Sequence, residues 1–272
     1  MKRALLLTAL AAGALAPAKG QNAQTPATVT LTRMQCGTNA APTDVGQRFS
    51  DTYAYNGLMV QLTFSCYLIR HNGDYLIWDT GNPVGNGPTA PKTSLTDLLA
   101  QLEITPAQVK YVAISHYHND HTGQASQFPQ ATLLIGKGDW DVLTDPKTPA
   151  ATSAPFSHWI SDGGKVDPVT GDRDVFGDGS VLMLNMPGHT PGHHSLLVKL
   201  TTMGNVLISG DLAHFHENYE SNGVPTFNTD RAASLASLDR FKAIAKNMHA
   251  TVIVQHDQRD VTKLPVFPAA AK

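Results

Sequence analysis

The sequence predicts an α/β protein built as a four-layer α/β/β/α sandwich in a single domain. Three observations lead there. Short β-type runs open the chain, strands then alternate with helical segments, and that order recurs in the second half. This is how two sheets packed face to face, with helices on the outer faces, are written into a chain. Across 272 residues no repeat, low-complexity linker or composition break marks a second domain.

The N-terminal stretch stands apart. Met1-Lys2-Arg3 is a positive start, Ala4 to Leu15 is apolar, and Ala16, Ala18 and Gly20 are small, the pattern of a secretory signal peptide over residues 1–20. Pro17 and Lys19 end the run short of the roughly 20 apolar residues that span a bilayer. The expectation is a cleaved leader, a mature domain of residues 21–272 in the periplasm or medium, and no membrane association afterwards. Loss of Lys2, Arg3 and Lys19 leaves 17 cations against 22 anions. Cys36 and Cys66 then meet an oxidising compartment, where they either pair or, for Cys66 in TFSCYLI, serve as a small buried hydrophobe.

The elements follow in order. Thr28 to Met34, Leu58 to Arg70 and Tyr75 to Trp78 read as strands, with Asn72-Gly73 as the hairpin turn between the last two. After the Gly/Pro-rich loop Gly81 to Pro91, Ser94 caps a helix carrying Leu95, Leu98, Leu99 and Leu102 at helical spacing. Tyr111 to Ile114 is a buried-strand run that ends in Ser115-His116. Further strands are expected at Thr132 to Ile135, Val181 to Met186, Ser195 to Leu200 and Val206 to Ser209. Thr229 or Asp230 caps a helix with Leu235, Leu238, Phe241, Ala245 and Met248 on one face, and the strand Thr251 to Val254 runs into Gln255-His256.

Composition narrows the function. The chain is 42% hydrophobic with formal charge −2, so it is neither disordered nor a disulfide-held miniprotein. It lacks the cationic excess of a nucleic-acid binder, and none is expected as a partner. It contains 12 His, and five of them fall at the ends of expected strands. In His116-Tyr117-His118-Asn119-Asp120-His121, the two histidines at i and i+2 project the same way from extended backbone and can share a metal. A helix starting near Asp120 turns that carboxylate and His121 toward a neighbouring site, at the spacing of about 3.5–4 Å found in two-metal hydrolases. His189 in MPGHTPGHHS, Asp211 in ISGD and His256 in VQHD supply further ligands of the kind that zinc takes.

These motifs resemble the metallo-β-lactamase superfamily, whose signature is H-x-H-x-D-H followed by separated His, Asp and His. Within it the chain is most similar to the N-acyl homoserine lactonases: CYLIRHNGDYLIWDTG, SHYHNDHTG, PGHTPGHHS, SGD and the ending HDQRDVTKLPVFP fit in order and spacing from about residue 30 onward. The resemblance implies the metallo-β-lactamase-type αββα sandwich and two Zn²⁺ per chain, with other divalent metals as alternatives. It implies that His116, His118 and His189 hold one metal, that Asp120, His121 and His256 hold the other, and that Asp211 bridges them. It also implies a homodimer, a small-molecule lactone or ester substrate, and opening of a homoserine lactone ring by a hydroxide bridging the metals, the reaction of quorum quenching.

Relatives within the superfamily offer alternatives. Similar lactonases carry a Tyr three residues after the bridging Asp, where this chain has His214, as organophosphate triester hydrolases do. An aryl ester or phosphotriester hydrolase is therefore the main alternative, ahead of a β-lactamase or a non-catalytic metal-binding domain. Asp120 is expected to move the proton to the leaving alkoxide, and His214 to contact the substrate. Asp79 in WDTG is expected to orient a ligand histidine. His193 is read as a buried hydrogen-bonding residue and, like His194, not as a ligand. His71, His158, His216 and His249 are read as structural or exposed. Phe64, Phe156, Trp159, Phe215, Tyr219 and Phe227 are either pocket walls or core. No G-x-S-x-G elbow occurs, so a serine nucleophile has no sequence support.

Overall fold

A computed structural model describes residues 27–272; the expected signal peptide and its cleavage point lie outside them. Two mixed sheets face each other. In chain order, β1 (Val29–Thr38) is followed by the two-residue pair β2 (Thr43–Asp44) and β3 (Met59–Val60), then by β4 (Thr63–His71), β5 (Asp74–Trp78), β6 (Val109–Ile114), β7 (Thr132–Gly136) and β8 (Val166–Val169). The first sheet has the order β1-β4-β5-β6-β7-β8. The second half supplies β9 (Arg173–Asp174), β10 (Val181–Asn185), β11 (His194–Leu200), β12 (Gly204–Ile208) and β13 (Thr251–Ile253), in the sheet order β13-β12-β11-β10-β9. The helices are α1 (Leu95–Ala100), α2 (Asn119–Thr122), α3 (Lys137–Thr144), α4 (Ala150–Ser153), α5 (Ser157–Ser161), α6 (His216–Ser221) and α7 (Arg231–Asn247).

Alternation along the strands builds the layers. Leu31, Tyr67, Ile69, Leu76 and Trp78 point into the space between the sheets and meet Met183, Leu196, Val198, Val206 and Ile208. Their neighbours Leu68, Ile77, Val112 and Leu133 point outward beneath α1 with its Leu95, Leu98 and Leu99. On the far side, Leu184, Leu197 and Leu207 pack under Leu238, Phe241 and Ala245 of α7. Two-sided burial explains why β4 reads as a near-continuous apolar run. The result is the expected four-layer sandwich.

The departures have physical causes. The expected strand Leu58 to Arg70 is divided, because Thr63 N–H donates to the His256 carbonyl and Leu62 bridges to Asp257, which draws the chain toward the other sheet at that point. β8 went unanticipated: Val166-Asp167-Pro168-Val169 holds a proline, tolerated here because β8 is an edge strand. Asp230, not Thr229, caps α7, its carboxylate accepting from Ala233 N–H at 2.9 Å. Cys36 and Cys66 form a disulfide joining β1 and β4, and both are fully buried. Among the described residues, no helix is long and apolar enough to cross a membrane.

Candidate metal centre

Every residue of the centre stands just beyond a strand. β6 ends at Ile114 and leads to Ser115 and His116; His118 then caps α2, which carries Asp120 and His121. His189 follows β10, Asp211 sits in a tight turn after β12, and His256 follows β13. The turn at Gly210 has φ +57°, and a Cβ there would press on the His193 ring, so glycine meets both a backbone and a space requirement. Asp79, just past β5, also has positive φ, which aspartate tolerates better than most side chains.

Two groups result. His116 Nε2, His118 Nδ1 and His189 Nε2 converge at mutual separations of 2.9, 3.0 and 3.2 Å. His121 Nε2 and His256 Nε2 face each other at 3.1 Å, with Asp120 Oδ2 at 3.6 and 3.7 Å from them. Asp211 lies between the groups. Its Oδ1 is 2.7 Å from His256 Nε2 and 3.0 Å from His121 Nε2, and its Oδ2 is 3.3 Å from His189 Nε2 and 3.5 Å from His116 Nε2.

The far nitrogens of these rings are committed. His121 Nδ1 donates to Asp79 Oδ2 at 2.8 Å, His256 Nδ1 to the Thr63 carbonyl at 2.8 Å and His189 Nδ1 to Asn228 Oδ1 at 2.9 Å. Ser115 Oγ donates to Asp79 and accepts from His116 Nδ1 at 3.1 Å. Each of the four rings therefore presents a lone pair at Nε2. Lone pairs aimed at one another and at a carboxylate call for positive charge among them, and both groups have the donor chemistry to hold a metal ion.

The electrostatics divide the two groups. Burial, with His121 nearby, holds the His116 imidazole well below its ordinary pKa, and burial does the same to His189. At His121 and His256 burial also opposes charge, but Asp211 and Asp120, joined at His121 by Asp79, outweigh it and raise both rings. The Asp211 carboxyl is desolvated too, yet the surrounding imidazoles keep it well below the carboxylate range.

The remaining predicted residues separate cleanly. Asp79 joins the centre as a support: besides His121 it accepts from Ser115 N–H, Ser115 Oγ and Gln255 Nε2. His193 donates from Nδ1 to the Met186 carbonyl and accepts Asp211 N–H at Nε2, and burial pushes it down to about 3. His194 bonds backbone carbonyls, His71 pairs with Asp178, and His216 with Asp260. His158 stacks edge-on against Trp159, and His249 is exposed. His214 is buried beside the centre, its Nε2 3.1 Å from Asp211 Oδ2.

A cavity of about 450 Å³ opens over this centre. Phe64 and Phe227 wall it, whereas Phe156, Trp159, Phe215 and Tyr219 are core. Sequence reasoning missed Phe49 and Arg48: Phe49 packs edge-on to His214 at 4.9 Å, and the Arg48 guanidinium lies 5.0 Å from the Phe227 ring centre. Neither falls in a motif or at a strand end, so nothing local marks them.

A family model for the metallo-beta-lactamase superfamily matches residues 64–256, a span that contains all seven residues of the two groups. The chain belongs to that superfamily. As a metallo-beta-lactamase superfamily protein it is a metal-dependent hydrolase, with His/Asp groups arranged to hold metal. It is 30% identical over 222 residues to N-acyl homoserine lactonase AttM of Rhizobium radiobacter, covering 74% of this chain and 84% of that protein. It is 26% identical over 230 residues to N-acyl homoserine lactonase AiiA of Bacillus thuringiensis subsp. kurstaki, covering 78% and 88%. A crystal structure of a quorum-quenching N-acyl homoserine lactone lactonase superposes with a TM-score of 0.75 at 25% identity, covering 89% of this chain and 98% of that one.

Proposed function

We propose that this protein hydrolyses the lactone ring of N-acyl homoserine lactones, as the relatives are named for doing, with two divalent cations, zinc foremost. The observation that carries the reading is that both His/Asp groups, joined by Asp211, lie at the base of a cavity walled by Phe49, Phe64 and Phe227. That combination offers a reactive floor for the ring and an apolar wall for the acyl chain. His116, His118 and His189 would hold one cation, Asp120, His121 and His256 the other, and Asp211 both.

When bound, such a pair acidifies water and polarises a carbonyl oxygen. The chain supplies the rest. His214, which lines the cavity with its Nε2 at 3.1 Å from Asp211 Oδ2, is placed to contact the substrate beside the centre. Asp120, whose side chain is 29% exposed in the cavity, would take the proton that water loses as its oxygen bonds the carbonyl carbon and pass it to the ring oxygen as the acyl C–O bond breaks. Asp79, Asn228 and the Thr63 carbonyl keep the rings in register. The Cys36–Cys66 disulfide supports placing the mature protein in the periplasm or outside the cell, where such bonds persist; fractionation of the native host tests this. A homodimer is the assembly to test by sedimentation.

The deciding experiment compares specificity constants of the metal-loaded protein for short- and long-chain acyl homoserine lactones, an aryl ester, a phosphotriester and a β-lactam. Lactones are expected to lead. A phosphotriester or aryl ester turned over faster would replace this reading with the alternative that His214 in the tyrosine position suggests.

A further inference from the structure

Asp139 is fully buried, belongs to neither metal group and does not line the cavity. It lies in the first turn of α3. Its Oδ2 accepts Thr190 Oγ1–H at 2.8 Å and Tyr117 N–H at 3.2 Å, and its Oδ1 accepts Gly192 N–H at 2.6 Å. Tyr117 sits between His116 and His118, and Thr190 follows His189. One carboxylate thus ties together the two loops that carry all three imidazoles of one group. Space is cleared for this tie: a Cβ on Gly136 would overlap the Gly192 carbonyl, one on Gly138 the Pro191 carbonyl, and one on Gly192 the Asp139 nitrogen. No such tie runs from Asp139 to Asp120, His121 or His256.

We propose that Asp139 is a positioning residue for the His116/His118/His189 group alone, setting the affinity of that group for its metal by holding both loops at one distance. The inference rests on the two-metal reading for its metal arm. An asparagine at position 139 offers one acceptor oxygen where the loops present three donors, so either Gly192 N–H or Tyr117 N–H is left facing an amide N–H₂.

The test titrates Zn²⁺ into the metal-free full chain and its variants, following each equivalent by chelator competition and cobalt spectra. Asp139→Asn is expected to weaken one equivalent by about 10–100-fold, the range for groups that support ligands, and to leave the other at its wild-type affinity. Thr190→Val removes a single donor and is expected to do the same more mildly, with Thr190→Ser restoring the wild type. A second arm needs no metal: amide exchange in the metal-free variants should quicken together at residues 116–118 and 190–192 and stay unchanged at residues 252–255. Wild-type affinity for both equivalents, equal loss of both, or unchanged exchange in the two loops would overturn the inference. A wild type that binds fewer than two metals, with both loops loosened in the variants, would overturn the two-metal reading and leave the tie standing.

Discussion

The two halves of the metal centre are built on different principles. The His121/His256 group is held by charge: Asp120 faces it, Asp79 buttresses His121, and together with Asp211 these acids raise both imidazoles despite burial. The His116/His118/His189 group is held by geometry. Apart from the shared Asp211 it contains only imidazoles; its ring supports, Ser115 Oγ and Asn228 Oδ1, are neutral; and burial lowers His116 and His189. A charged site draws a cation even when its frame is loose, whereas a neutral one must be pre-shaped, and that is where the structure places the Asp139 tie.

Breaking the shared element has the largest effect. Asp211→Asn should reduce metal content at both groups and lower lactone turnover beyond the roughly 10–100-fold typical of outer supports; two tightly held metals in that variant would undo the bridging assignment. Next, Asp79→Asn removes the charged buttress of His121 and, read by chelator competition, should weaken that group's equivalent toward the upper part of that range, and the other less, since Asp79 reaches His116 only through Ser115. Asn228→Ala withdraws a neutral support from His189 and should weaken the other equivalent toward its lower end. If Asn228→Ala proves the more severe, the contrast between charge-held and geometry-held groups is wrong.

Much of this was legible in the chain. The seven residues of the two His/Asp groups were visible because imidazoles and carboxylates sit where apolar strand runs stop. The layers followed from the order of strand and helix signals, repeated in the two halves, and from the apolar stripe on α7. The supports were harder. Asn228 reaches His189 across 39 residues and Thr63 acts through its backbone carbonyl, so neither leaves a local signal. Asp139 did leave one, a carboxylate directly after a strand in KGDWD, but an acid in the first turn of a helix is also ordinary. The stretch from α4 to α5 has no periodicity to read, and Pro168 hid β8.

The smallest expected effect concerns His193, which orients Asp211 from its backbone side. Its imidazole is neutral in the fold, with a pKa of about 3, while in the unfolded chain it takes up a proton below about pH 6.5. Between those values the unfolded state binds the extra proton, so the metal-free protein loses stability as pH falls, by about 1.4 kcal/mol per pH unit from this group. His193→Gln should flatten the slope of unfolding free energy below pH 6.5, by an amount that approaches this value near pH 5. An unchanged slope would mean that the ring is charged in the fold.

If both groups, bridged by Asp211, act as one centre on a lactone, both must be filled for turnover. Adding Zn²⁺ stepwise to the metal-free protein while following hydrolysis of an acyl homoserine lactone tests it most directly. Activity is expected to climb to a break at two equivalents per chain and to stay level after it. Full activity at one equivalent, or lactone turnover that ignores added metal, would contradict it.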